Sequence, residues 1–175
     1  MSKVANTPNM LKEIFALSAE VTRLGTEAGV TVGTAESCTG GLIGAALTAI
    51  PGSSAVFHGG IIAYDNSVKM DQLSVPKDML ETHGAVSREV AEAMAIGVCE
   101  ALNVDITVSV TGVAGPGGGS ADKPVGTVWM GLAQKKNGEL ITTSNIHLLK
   151  NLSRNKVRDM TCLKALETLI DAIRT

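Results

Sequence analysis

The sequence predicts an α/β domain built as three layers, α/β/α, around a mixed, mostly parallel sheet of about five strands. Three observations carry that expectation. Alternating, β-branched runs at residues 30–36, 55–64 and 105–111 are separated by stretches whose apolar residues recur at helical spacing. That order yields parallel strands with crossover helices. Two further runs, 126–134 and 140–148, are joined by Lys135-Lys136-Asn137-Gly138, turn chemistry that pairs them antiparallel. A chain of 175 residues, 45% apolar and 18% charged, is also long enough for one well-buried core.

Residues 1–8 are polar and read as a disordered terminus, which leaves 9–175 as a single domain. From Asn9, the positions Met10, Ile14, Leu17, Val21 and Leu24 form an amphipathic helix ended by Gly25 or Gly29. Val30-Thr31-Val32-Gly33-Thr34-Ala35-Glu36 reads as a strand that turns at Ser37-Cys38-Thr39-Gly40-Gly41 into an apolar helix over 42–50. Pro51-Gly52-Ser53-Ser54 closes that unit. A second strand spans 55–64, and Asp65-Asn66-Ser67 caps a short helix over 68–73. Val75-Pro76 breaks it and starts another short helix that runs through Thr82. Ser87 caps a longer helix whose buried stripe is Val90, Met94, Val98 and Leu102, with Asn103 at its end. After the strand at 105–111 comes a glycine-rich loop, Gly112 to Ser120. The antiparallel pair follows, and a closing helix over 150–174 points Val157, Leu163, Leu166 and Ile170 inward.

Composition narrows the function. A net charge of −2 supplies no electrostatic footprint for nucleic acid or an anionic membrane. Aromatic residues at 2% leave no stacking platform for single strands. A small-molecule ligand fits better than a polymer. Cys38, Cys99 and Cys162 are an odd number, far apart, and none forms a CxxC. Neither a disulfide framework nor a zinc site is indicated, and reduced thiols fit a cytoplasmic protein. No stretch has signal-peptide character or approaches the ~20 apolar residues of a membrane span.

Chemistry concentrates at residues 36–41. Backbone N–H groups at a helix start can hold a phosphate or the oxyanion of an attacked carbonyl, although such a turn can also be purely structural. Ser37 is the best nucleophile by position and needs a base. His58, His83 and His147 lie on separate elements with no triad or metal spacing, so a lysine kept neutral by burial is the alternative activator. Lys69 follows Tyr64, the one tyrosine, by five residues at a strand-to-helix junction, where a phenol and an amine can relay a proton. Read on spacing alone, the same two residues describe a surface lysine and a core tyrosine. Cys38 is a rival nucleophile or a small core thiol. Glu36 is either an orienting group or a carboxylate beside the helix start. The glycine loop lacks the Gly-Lys-Ser/Thr of a Walker motif but can form an anion nest. Arg154 and Arg158, four apart on the last helix, share a face and can clamp a phosphate or be solvated.

Five motifs then recur in order along nearly the whole chain. They are Thr34-Ala35-Glu36-Ser37-Cys38-Thr39-Gly40-Gly41, Tyr64-x-Asn66-x-x-Lys69, His83-Gly84-Ala85-Val86-Ser87, Thr111-Gly112-x-Ala114-Gly115-Pro116-x-Gly118-Gly119 and Lys123-Pro124-Val125-Gly126-Thr127-Val128-Trp129. Together they resemble the CinA C-terminal domain family, which includes nicotinamide mononucleotide amidohydrolases. The resemblance implies hydrolysis of the carboxamide of nicotinamide mononucleotide to nicotinate mononucleotide and ammonia, with no metal and no cofactor. It implies Ser37 as nucleophile, with Lys69 and Tyr64 as acid/base partners. Substrate would be held by Cys38, Thr39, Gly40 and Gly41 at the turn, by Thr111, Gly112, Gly118 and Gly119 in the loop, and by Arg154. One segment departs from the family pattern Gly-Asp-Arg-x-x-Val-Arg. Here it reads Leu152-Ser153-Arg154-Asn155-Lys156-Val157-Arg158, keeping both arginines, and the serine is itself able to bond a phosphate.

The leading expectation is therefore a Ser-Lys-Tyr amidohydrolase of a pyridine mononucleotide. The alternative is a non-catalytic nucleotide-binding module, since the domain also occurs fused in longer CinA proteins; no second domain is read in this sequence, which favours the enzyme. A thiol enzyme or redox sensor at Cys38 ranks third. Low charge and short helices leave room for a homo-oligomer, which the resemblance also supports.

Overall fold

The computed structural model describes residues 7–175, with side chains from Met10 onward; the disorder expected for residues 1–6 lies outside that range. Thr7 and Pro8 belong to helix α1 (Thr7–Ala28), which begins two residues before the expected start. Proline is tolerated in a first turn because its missing N–H has no intrahelical partner to lose.

The remaining elements are β1 (Val32–Glu36), α2 (Leu42–Thr48), β2 (Phe57–Ile62), α3 (Asn66–Leu73), α4 (Lys77–His83), α5 (Arg88–Leu102), β3 (Ile106–Gly112), β4 (Thr127–Lys136), β5 (Glu139–Leu148) and α6 (Arg154–Arg174). The sheet order is β2-β1-β3-β4-β5. β1 pairs parallel with β2 and β3, whereas β3–β4 and β4–β5 are antiparallel. All strands except β4 consequently point the same way, the mixed, mostly parallel sheet expected. Helices α1, α2 and α6 cover one face and α3, α4 and α5 the other.

β3 shows how the layers are joined. Ile106, Val108 and Val110 enter the core beneath α1, α2 and α6. On the opposite face the hydroxyls of Thr107 and Ser109 donate to the Ala95 and Ala91 carbonyls of α5, and that of Thr111 donates to Ala85 O. Unpaired, each buried hydroxyl would cost about 1–3 kcal/mol; paired, the first two lock the register of α5 on the central strand and the third holds the connector before it. Close approach recurs between α3 and α5, where a Cβ added to Gly97 would run into the backbone carbonyl of Leu73.

The starts of α3 and α6 also differ from expectation. α3 begins at Asn66 because Asp65 caps it, its Oδ1 accepting the Ser67 N–H at 2.8 Å. α6 begins at Arg154 instead of residue 150. The Leu149 N–H bonds Gly126 O at 2.8 Å and Asn151 is left-handed (φ 60°), which holds the chain beside β4 until Ser153. Among the described residues no helix is long and apolar enough to cross a membrane.

The carboxyl ends of β1, β2 and β3 open on one side of the sheet. β1 continues into α2 on one face while β2 leads to α3 on the other, so the chain diverges there and leaves a crevice of the kind that receives ligands in open α/β sheets.

Candidate active site

The turn after β1 is organised by Glu36. The strand alternation that directs this side chain toward α2 directs the next residue, Ser37, into the crevice. Glu36 is 2% exposed. Its Oε2 accepts from Thr39 Oγ1 (2.7 Å), Gly41 N (2.9 Å) and Ile43 N (3.1 Å), and its Oε1 accepts from Gly44 N (2.8 Å). Both carboxyl oxygens are therefore committed to the turn and to the first residues of α2. Three N–H groups at the start of α2, those of Gly41, Ile43 and Gly44, are thereby taken by the protein's own side chain. The broad oxyanion or phosphate cradle expected over residues 38–41 contracts: Cys38 lines the crevice, whereas Thr39, Gly40 and Gly41 do not.

Ser37 and Lys69 face the same cavity of ≈ 310 Å³, with Asn66, Ala85, Val86, Thr111 and the glycine loop around them. That volume lies at the lower end of the roughly 300–1,000 Å³ typical of ligand pockets. Ser37 is buried, and its N–H bonds Val110 O at 3.0 Å, anchoring the backbone of the turn to β3. Lys69 is not a surface lysine: it is 1% exposed. Its Nζ donates to the carbonyls of Ala63 (2.9 Å) and Tyr64 (3.2 Å), and among the described residues no carboxylate lies in ion-pair range of it. Burial holds its pKa below that of an ordinary lysine.

Tyr64 is the converse, 61% exposed and not a core residue. It stands at the rim, where its hydroxyl lies 3.2 Å from Arg154 Nη2. Arg154 Nη1 donates to Gly115 O at 2.8 Å, so this arginine ties the glycine loop to Tyr64 at the mouth. The loop can bend there because Gly115 adopts φ 81°, a conformation that disfavours any side chain.

Cys38 also lines the cavity, but burial pushes its thiol up to about 12. A thiol held protonated at neutral pH is a poor nucleophile. The cavity is not lined by His58, His83 or His147.

Of the residues singled out in the sequence, Ser37, Cys38, Tyr64, Lys69, Thr111, Gly112, Gly118 and Arg154 converge on the cavity. Thr111 does so with its hydroxyl already donated to Ala85 O. Gly119 lies outside the lining, as does Ser153, which occupies the cap position of α6. Arg158 is not a cavity residue either; its Nη2 donates to Thr39 O at 2.8 Å. Sequence reasoning did not single out Ala85, Val86 or Val113 as lining residues, because apolar wall positions carry no chemical signature. It also left Glu36 unassigned, since a strand residue reaching forward to cap the next helix follows no fixed spacing.

Fold and cavity together define an α/β domain that presents a buried serine and a buried lysine to one small-molecule-sized crevice. Comparison with known proteins places it further: the chain belongs to the CinA C-terminal domain family, which matches residues 14–173. It is 48% identical over 153 residues to a CinA-like protein of Synechococcus sp. (strain CC9902), covering 87% of this chain and 36% of that protein. A CinA-like protein of Leptospira borgpetersenii serovar Hardjo-bovis (strain L550) is 57% identical over 116 residues, 66% of this chain and 28% of that one. The chain thus spans about a third of the length of these relatives. The crystal structure of competence/damage inducible protein CihA from Agrobacterium tumefaciens superposes with a TM-score of 0.86 at 41% identity, covering 100% of both chains.

Proposed function

We propose that this domain is an amidohydrolase that converts nicotinamide mononucleotide to nicotinate mononucleotide and ammonia, with Ser37 as nucleophile. The observation that carries the reading is the placement of Lys69, buried on the cavity that Ser37 lines and held by burial below the ordinary lysine pKa. A neutral amine has two N–H donors and one lone pair; the Ala63 and Tyr64 carbonyls accept two N–H bonds, which leaves the lone pair for a proton. Lys69 takes the Ser37 proton as Oγ attacks the carboxamide carbon, and the Cys38 N–H supports the oxyanion. The resulting ammonium, or the Tyr64 phenol at the rim, protonates the departing nitrogen as the C–N bond breaks. Water then repeats the sequence on the acyl-serine, giving the acid and free Ser37. No step calls for a metal or cofactor.

Arg154 and the loop from Thr111 to Gly118 would hold the phosphate and ribose. With the start of α2 occupied by Glu36, the anionic group of the substrate is directed to that side of the crevice. The test is ammonia release from nicotinamide mononucleotide by the purified protein. It should be abolished by Ser37→Ala and Lys69→Ala and persist in Cys38→Ala. Turnover that survives Ser37→Ala but not Cys38→Ala would transfer the nucleophile to the thiol.

The relatives' length favours one second reading. A chain that matches about a third of longer proteins can serve as their nucleotide-binding module without catalysis. Saturable binding of the mononucleotide with no ammonia release would select it.

A further inference from the structure

We infer that Arg158 is a positioning residue that sets the Ser37 turn from behind, and not a ligand for the substrate's phosphate. The inference rests on the reading of Ser37 as nucleophile. Thr39 is gripped from two sides: its hydroxyl donates to Glu36 Oε2 at 2.7 Å, and its carbonyl accepts from Arg158 Nη2 at 2.8 Å. Thr39 is completely buried, so in the folded protein these two partners and not water hold it. Glu36 belongs to β1 and Arg158 to α6, which fixes the turn against two elements that are themselves packed in the core. The residue between Thr39 and the nucleophile is Cys38, whose N–H is the oxyanion donor proposed above. A shift of Thr39 therefore moves donor and nucleophile together.

Arg154, one helical turn earlier, faces the cavity and grips the opposite wall through Gly115 O. The two arginines share a helix face but divide the labour, one at the mouth and one beneath the turn. Their roles separate kinetically. A phosphate ligand contributes to binding, whereas a misplaced reacting group costs turnover, about 100-fold for a displacement of ~1 Å.

The experiment compares Arg158→Met and Arg158→Lys with wild type. Arg158 is only partly buried, so both variants are expected to fold. Three quantities are read: kcat and KM for ammonia release from nicotinamide mononucleotide, the rate of Ser37 modification by a fluorophosphonate, and amide exchange over residues 37–44. Arg158→Met should lower kcat and the modification rate by the same factor, between about 10- and 100-fold, with KM unchanged. Arg158→Lys should recover most of both, because an ammonium can still reach Thr39 O. A raised KM with normal kcat and normal Ser37 modification would overturn the inference in favour of a phosphate ligand. If wild type neither releases ammonia nor labels, the nucleophile reading fails, and amide exchange still decides the clamp. Faster exchange at Gly40 and Gly41 in Arg158→Met, at an unaltered unfolding midpoint, supports it; unchanged exchange there removes it.

Discussion

Replacing Lys69 with methionine separates the two things this side chain does. As a general base it should account for about 10²–10⁴ in turnover, the usual range for a positioned proton acceptor. Its effect on stability has opposing parts. The Ala63 carbonyl, on a fully buried residue, loses a donor at 2.9 Å, which costs about 1–3 kcal/mol at any pH. The Tyr64 carbonyl belongs to an exposed residue, where water can take over. Against that loss, the fold no longer has to bury an amine. Burial lowers the folded pKa of Lys69 below the ordinary value of ~10.4, so between those two values the unfolded chain binds the extra proton. Wild-type stability therefore rises with pH through that window, and below the folded pKa the full burial penalty applies. The methionine variant has no such slope. Its advantage in Tm should be greatest at low pH and shrink as pH rises toward 10, where the orphaned carbonyl alone remains. For a chain of this size each kcal/mol moves Tm by about 2–4 °C. Thermal melts of both proteins from pH 6 to 10, with ammonia release measured alongside, read both effects. A Tm difference that does not change with pH, or turnover near the wild-type level, would refute the assignment of Lys69 as a buried, readily neutralised base.

Other outcomes follow from single contacts. Cys38→Ala should keep its turnover, and the Cys38 thiol of the folded wild type, pushed up to about 12 by burial, should resist iodoacetamide at pH 8 until the protein is unfolded; rapid alkylation of the native protein, located by peptide mapping, would contradict this. Gly97→Ala should destabilise by about 1–3 kcal/mol, because its Cβ meets the Leu73 carbonyl in the contact between α3 and α5; a urea midpoint equal to wild type would show that the helices can part at no cost. Arg154→Met should raise KM for the mononucleotide more than it lowers kcat, since Arg154 lines the cavity and braces Gly115 O and the Tyr64 hydroxyl; an unchanged KM would place the phosphate elsewhere.

Much of the architecture was legible because it is local. The Asp65 cap, the Ser87–Asn103 bounds of α5 and the hairpin at Asn137-Gly138 each rest on residues a few positions apart, and each appears where the pattern put it. The helix starts at Thr7 and Arg154, which also slipped, depend on weaker signals. At α6 the deciding contact, Leu149 N to Gly126 O, spans more than twenty residues of sequence.

The site divides the same way. The sequence by itself determined which chemical groups are available: a hydroxyl and a thiol at a strand-to-helix turn, one tyrosine, a lysine five residues after it, a glycine loop and two arginines a helical turn apart. Only the tertiary structure decided what each group is free to do. It buries Lys69 outside ion-pair range of the carboxylates among the described residues and exposes Tyr64, the reverse of what spacing alone suggests. It commits Glu36 to the start of α2, and it turns Arg154 to the cavity while Arg158 goes to Thr39. The physical reason is that reactivity here depends on desolvation and on prior hydrogen-bond commitments. Both are set by neighbours distant in sequence, and neither leaves a mark on the residue's own local pattern.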